Sequence, residues 1–307
     1  MKLAMVFPGQ GSQAVGMLKG YDGLPEIDAV RAEARAALGE DFMRIVDEGP
    51  AESLNQTVNT QPAMLTAGYA AYRAWCALRG PRPQMLAGHS LGEYTALLAA
   101  GAIAFGEALP LVRFRAEAMQ QAVPEGRGGM AAILGLEDES VRKACVEAGG
   151  EVQAVNFNSP GQVVIAGEKE AVDRAIERCK VHGAKRAMPL PVSAPFHSTL
   201  MRPAGQKLKI YLEKVQVAKP AMSVINNVDV KAESEPAAIK AALVRQAASP
   251  VRWVETISAM AGAGATHIVE CGPGKVLGAF TKRIASEVQC FSLADRTSLE
   301  QALEAMR

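Results

Sequence analysis

The sequence carries no excess of either charge. There are 33 Lys and Arg residues against 32 Asp and Glu, a formal net charge of +1. A dedicated nucleic-acid binder has a basic excess that this chain lacks. Cysteine is sparse: Cys76, Cys145, Cys179, Cys271 and Cys290 are odd in number, and no two stand at C-x-x-C spacing. Zinc-ribbon and thioredoxin-like chemistry are therefore excluded, and reduced, mostly buried thiols are expected. Long apolar runs are missing too. The longest charge-free apolar stretch, Tyr94 to Gly106, has 13 residues, whereas a membrane helix needs about twenty. The apolar run Leu3 to Phe7 is too short for a secretory leader and stops at Pro8-Gly9. A soluble, cytoplasmic protein is expected, without membrane or nucleic-acid partners. Aromatic residues make up only 5%. The chain nevertheless has 307 residues, 49% of them hydrophobic, so a large core needs no disulfide or metal to hold it.

What is present alternates. Leu3 to Phe7 and Met85 to Gly88 read as short buried strands. Helices are predicted over Pro62 to Leu78, Leu91 to Ala100 and Leu109 to Val123, the first with Pro62 in its opening turn. Such alternation predicts an α/β fold with a parallel sheet covered on both faces. From Met130 the texture changes. A strand (130–136), a helix (138–148), two strands (152–157 and 162–166), a helix (169–182) and a strand (185–190) follow in order. That is the split, ferredoxin-like arrangement, inserted into the larger unit. Residues 125–196 are assigned to the insert, and 1–124 with 197–307 to the core. Val224 to Asn226 and His267 to Glu270 continue the core strands, and Pro273 to Ile284 opens a helix.

Gly88-His89-Ser90-Leu91-Gly92 is a G-x-S-x-G sequence where a strand ends and a helix begins. In that context glycines relieve clashes around a tight turn, and the serine stands exposed over a helix N-terminus. The plainer reading is a strand-to-helix loop with a capping serine. A serine nucleophile needs a base. His89 adjoins Ser90 and should point away from it. His182 follows a helix as a capping residue, and His267 lies in an apolar strand as a core residue. His197, in the irregular segment 193–198, is the favoured candidate, since catalytic residues gather on such loops. An unperturbed histidine would place the acid limb of activity near pH ~6.5. No acidic third member of a triad stands out.

Four segments occur in order: Phe7-Pro8-Gly9-Gln10-Gly11-Ser12-Gln13, Gly88-His89-Ser90-Leu91-Gly92-Glu93-Tyr94, Asn156-Phe157-Asn158-Ser159-Pro160-Gly161-Gln162 and Ala194-Pro195-Phe196-His197-Ser198. Together they resemble the malonyl-CoA:acyl carrier protein transacylases of bacterial fatty acid synthesis; the acyltransferase domains of polyketide synthases are similar. The resemblance covers essentially the whole chain. The match is looser over residues 122–129, at Gly135-Leu136 and in the Ala-rich last third.

The resemblance implies an α/β-hydrolase-like core with a ferredoxin-like insert and the site between them. It implies Ser90 as the acylated nucleophile and His197 as its base, oriented by a main-chain carbonyl near Gln246. Gln10 and Leu91 would supply oxyanion-hole N–H groups, and Asn158 a supporting polar role in the cleft. Arg115 matches the arginine that pairs with the malonyl carboxylate; without the family it would read as a surface arginine. Phe196 matches malonyl-specific members, its bulk leaving little room for an α-methyl group, although core packing would also explain it. No cofactor is implied beyond malonyl-CoA as substrate and the phosphopantetheine of an acyl carrier protein, from either a fatty acid or a polyketide pathway. A monomer is expected. Lys282 and Arg283 are candidates to meet an acidic carrier, or simply a solvated helix face. A serine thioesterase or esterase on the same core remains the main rival.

Overall fold

The computed structural model describes residues 1–192 and 194–306; Ser193, the first residue of the 193–198 segment, lies outside them. Among the described residues, nine strands form two sheets. They are β1 (Leu3–Phe7), β2 (Met85–Gly88), β3 (Gly128–Leu134), β4 (Val152–Ser159), β5 (Gln162–Glu168), β6 (Arg186–Pro189), β7 (Ser223–Ile225), β8 (His267–Cys271) and β9 (Gln289–Leu293). The larger sheet has the order β7-β2-β1-β8-β9, with every neighbouring pair parallel. Its central strands, Leu-Ala-Met-Val-Phe and Met-Leu-Ala-Gly, are buried at every residue. Continuous apolar strands of this kind are what a parallel sheet covered on both faces requires. Separate apolar clusters pack on its two faces. Met5, Phe7, Leu86 and Val269 point into one; Ala4, Val6, Ala87 and Ile268 point into the other.

The smaller sheet has the order β4-β5-β3-β6, all antiparallel. Helices Asp138–Ala148 and Lys169–Val181 cover it, and its own core includes Ile133, Val141, Val163, Ile165, Val172 and Ile176. This is the ferredoxin-like arrangement expected from the sequence. The smaller sheet is joined to the rest of the chain at β4, through Val251, which lies outside both sheets. Val251 N–H donates to Val155 O at 2.8 Å and Phe157 N–H to Val251 O at 3.0 Å, so the end of β4, with Asn158, is held beside the carboxyl edge of the larger sheet.

Two expected helices have other bounds, and one strand was not expected. The helix predicted from Pro62 begins at Thr57 and keeps Pro62 inside it (Thr57–Ala77). Its opening turn is polar, so apolar periodicity misses it. Yet Thr57, Asn59, Thr60 and Gln61 are buried, and partners make that tolerable: Asn59 Nδ2 donates to Ser53 O at 2.9 Å and Thr60 Oγ1 to Leu54 O at 2.6 Å. The helix predicted from Leu109 to Val123 spans Phe105–Gln120, because Phe105 and Ala108 already pack into the core. Strand β9 is an edge strand of mostly half-buried residues and carried no apolar run to announce it.

Candidate active site

The carboxyl edge of the parallel sheet is where open α/β folds place their ligands, and there β2 meets a helix. β2 ends at Gly88 and helix Gly92–Ala99 follows within four residues. The turn forces Ser90 to φ +53°, a left-handed conformation that costs a non-glycine residue on the order of 1–3 kcal/mol. The flanking glycines are steric necessities. A Cβ at position 88 would stand 1.8 Å from the carbonyl carbon of Gly92, and one at 92 would stand 2.0 Å from Phe7 O. Gly88→Ala is therefore expected to lower the denaturation midpoint sharply, by at least the ~1–3 kcal/mol of an overpacked core. Gly106→Ala, whose added Cβ meets nothing within 4 Å, should leave the midpoint unchanged or slightly higher. Equal midpoints for the two variants would refute the steric argument.

Ser90 Oγ lies 2.7 Å from His197 Nε2. On the other side of the ring, Nδ1 lies 3.0 Å from the main-chain oxygen of Gln246. A carbonyl only accepts, so Nδ1 carries the proton and Nε2 presents its lone pair to the serine hydroxyl. The carbonyl takes the place that a triad acid would fill. His197 itself sits at φ +65° and is 2% exposed; two strained non-glycine residues thus face each other. Burial first, and then the charge of Arg115, push the His197 pKa down to about 3. The acid limb is therefore expected below the ordinary pH ~6.5, because burial and Arg115 favour the neutral imidazole. For kcat/KM of acylation, which reports the free enzyme, the acid limb is expected well below that of an ordinary histidine. A bound carboxylate would offset the Arg115 charge, so the limb of kcat with malonyl-CoA should lie at higher pH than that of kcat/KM. Coincident limbs near pH ~6.5, measured with the fold intact, would contradict this.

Arg115 projects from helix Phe105–Gln120 and is 1% exposed. Nη2 donates to Ser90 Oγ at 3.2 Å and to Gln246 Oε1 at 3.0 Å, and Nη1 to Gln61 Oε1 at 2.7 Å. All of these acceptors are neutral. The guanidinium also lies over the Tyr94 ring, 5.2 Å from its centroid. Among the described residues, a cation is thus buried against the Ser90 hydroxyl without a bonded anion. Arg113, two residues away, faces Phe42 instead.

Gln246 is fully buried and joins the parts. Its main-chain oxygen holds His197 and its side-chain oxygen holds Arg115. Nε2 donates to Ser90 O at 3.0 Å and to Glu93 Oε2 at 2.9 Å. It is tied entirely into protein contacts behind the serine.

Three residues were missed from the sequence. Asn227 clamps the turn: Oδ1 accepts from Ser90 N–H at 2.8 Å, and Nδ2 donates to Gly88 O at 2.7 Å. Glu93 Oε2 accepts from Asn227 N–H at 2.8 Å. Gln61 carries Arg115. The available signals were an Asn226-Asn227 pair ending a buried strand and a lone acid in an otherwise apolar helix, since buried charges must find partners.

The segment after β1 packs on the same turn. His89 N–H donates to Phe7 O at 2.9 Å, and a Cβ on Gly9 would stand 2.6 Å from His89 O. Gln10 follows, its Oε1 accepting from Thr57 Oγ1 at 2.8 Å. Leu91 opens the helix after Ser90, where first-turn amides have no acceptor within the helix. Asn158 reaches His89 rather than the serine, with Oδ1 and Nε2 2.8 Å apart. His89 points away from Ser90, as expected, and packs edge-on against Trp253. Phe196 is half-buried and bridges the apolar cluster of Met119 and Met201 and that of Val155 and Val164. His182 caps its helix and meets Glu147 at 2.8 Å. His267 is not a core residue: it opens β8 half-buried and stacks on Phe291.

A histidine-activated serine on a strand–turn–helix bend of a parallel sheet, with a carbonyl-oriented imidazole, defines the class of serine acyl-transfer enzymes. The chain belongs to the acyl transferase domain family, whose model matches residues 4–296. It is 53% identical to the malonyl CoA-acyl carrier protein transacylase of Escherichia coli over 99% of each chain. The namesake of Bacillus subtilis is 42% identical, over 100% of this chain and 98% of that one. Among solved structures, an acyl-carrier-protein S-malonyltransferase from Burkholderia pseudomallei superposes with a TM-score of 0.97 at 59% identity, covering 99% of this chain and 100% of that chain. A malonyl-transacylase solved with its type II PKS acyl-carrier protein has a TM-score of 0.97 at 51% identity, with the same coverage.

Proposed function

We propose that the enzyme moves the malonyl group of malonyl-CoA onto the phosphopantetheine thiol of an acyl carrier protein, through a malonyl ester on Ser90. The observation that carries this reading is the Arg115 guanidinium, buried 3.2 Å from Ser90 Oγ with only neutral acceptors. A fixed cation beside the nucleophile suits an acyl group that ends in a carboxylate. A general esterase has no use for it.

In the first half-reaction, Ser90 Oγ attacks the thioester carbonyl while His197 Nε2 takes its proton. The Gln10 and Leu91 amides hold the oxyanion. The carbon–sulfur bond then breaks and the CoA thiolate leaves with the proton from His197. In the second, the carrier thiol gives its proton to His197 and attacks the malonyl ester. Ser90 departs as the leaving group and recovers its proton. These side chains carry every bond change, so the cycle calls for no cofactor beyond the two thiol-bearing substrates. Asn158 supports this geometry through His89, and Phe196 limits the space at the acyl α-carbon.

The core (1–124, 197–307) and insert (125–196) are the units proposed to close around the acyl group. The enzyme is proposed to act as a cytoplasmic monomer without nucleic-acid or membrane partners. Among the described residues, no helix is long and apolar enough to cross a membrane. An acidic carrier would approach past Lys282 and Arg283, both exposed. Arg283 is already bonded to Gln162 Oε1 and Pro160 O, so Lys282 offers the freer charge of the two.

Mass spectrometry after mixing with malonyl-CoA should find a malonyl adduct on Ser90 that disappears when carrier protein is added. Release of free malonate at the same rate with and without acceptor would make the enzyme a hydrolase instead.

A further inference from the structure

Among the described residues, Glu93 is the carboxylate whose charge acts on Arg115. It lies on helix Gly92–Ala99 and is 2% exposed. One of its oxygens accepts from Asn227 N–H at 2.8 Å and from Gln246 Nε2 at 2.9 Å. The oxygen of that same Gln246 amide accepts from Arg115 at 3.0 Å. A buried anion and a buried cation are therefore held one amide apart, with no direct ion pair between them. Burying a lone guanidinium is costly, and Glu93 reduces that cost while the site is empty. A carboxylate substrate changes the balance, because two anions then face one guanidinium.

We infer that Glu93 sets the acyl selectivity of the site: across the Gln246 amide, its carboxylate competes with an incoming malonyl carboxylate for the field of Arg115. The inference rests on Arg115 reading that carboxylate. Acetyl brings no charge, so Glu93 does not oppose its entry. The developing oxyanion is common to both substrates, and its interaction with Glu93 cancels in the ratio of their rates. Glu93 thereby limits how far malonyl is preferred over a neutral acyl group, in exchange for a guanidinium held in place before substrate arrives.

The charged and titratable groups around Glu93 are few. Arg115 faces it from helix Phe105–Gln120, and Asp229 faces it from beyond β7, bonded to Arg245. Tyr94 adjoins it on its own helix and is held neutral by burial. His197 lies across Gln246 and is also neutral. Burial pushes the Glu93 carboxyl up to about 7, so its charge changes within the working range. The malonyl carboxylate is ionised throughout that range.

The experiment measures kcat/KM for acylation of Ser90 by malonyl-CoA and by acetyl-CoA, from about pH 5.5 to 8.5, where Ser90 and His197 chemistry cancels in the ratio. In the parent, the malonyl-to-acetyl ratio should fall several-fold as pH rises and Glu93 becomes charged. In Glu93→Gln an oxygen still accepts both hydrogen bonds while the charge is gone. Its ratio should be flat with pH and on the order of three- to tenfold above the parent at pH 8. Glu93→Ala removes the acceptor as well and should slow both substrates together. A purely structural role would slow both alike in Glu93→Gln and leave the ratio unmoved. A parent ratio flat with pH, or a Glu93→Gln ratio within twofold of the parent while Arg115→Ala collapses it, overturns the inference. If Arg115→Ala itself leaves the ratio unchanged, the carboxylate reading fails, and the inference with it. The parent pH profile needs no variant, so a Glu93→Gln chain that does not fold still leaves a decisive measurement.

Discussion

Ser90→Ala is expected to abolish covalent labelling by malonyl-CoA and transfer to the carrier together, with a loss of at least about 10³-fold. The hydroxyl and the imidazole act as one unit: Ser90 Oγ and His197 Nε2 are 2.7 Å apart, and the ring is locked from behind by Gln246 O. Without the oxygen there is no atom to receive the acyl group, however well the remaining groups are placed. The variant should fold, because the clamp on the turn acts on the main chain. Asn227 Oδ1 holds Ser90 N–H, Gln246 Nε2 holds Ser90 O, and neither bond needs the side chain. Near-normal transfer by the alanine variant would mean that the carrier thiol attacks malonyl-CoA directly, and the two-step mechanism would have to be abandoned. The check is intact-mass labelling alongside a carrier-dependent transfer assay on the same preparation.

Arg115→Ala is expected to collapse malonyl transfer while acetyl transfer persists. A malonyl carboxylate entering the variant would be desolvated and unpaired, at a cost of roughly 2–5 kcal/mol. That corresponds to roughly 30- to several-thousand-fold, since each 1.4 kcal/mol is about tenfold. Acetyl brings no charge to strand. In the parent it leaves the guanidinium facing only neutral oxygens, and the alanine removes that penalty. The same substitution lifts one of the two main causes that hold the His197 pKa down. The acid limb for acetyl transfer should therefore move to higher pH in the variant. The decisive number is the malonyl-to-acetyl ratio for parent and variant under identical conditions. A ratio preserved within about threefold would assign carboxylate recognition to another cation.

Sequence alone settled whatever a short stretch of chain decides through its own burial and sterics. β1 and β2 are legible because a strand covered on both faces must be apolar at every residue. The smaller sheet and its two helices are legible because each element carries its own period and ends at its own turn. The bend at Ser90 is legible because the two glycines required by its geometry stand within five residues. Tertiary structure alone decided what depends on partners far away in the chain. His197 reaches Ser90 across 107 positions, and Gln246 reaches Ser90 across 156. Asn227 and Glu93 meet across 134, so no local pattern marks either one as part of the site. The buried polar turn of Thr57 to Gln61 likewise looks like surface until Ser53, Leu54, Gln10 and Arg115 supply its partners. The same holds for the base: an imidazole has its ordinary pKa in any sequence, and only the fold, by removing water and bringing Arg115 beside it, drives that value down. Local sterics are written residue by residue, whereas desolvation and long-range hydrogen bonding exist only once the chain has closed on itself.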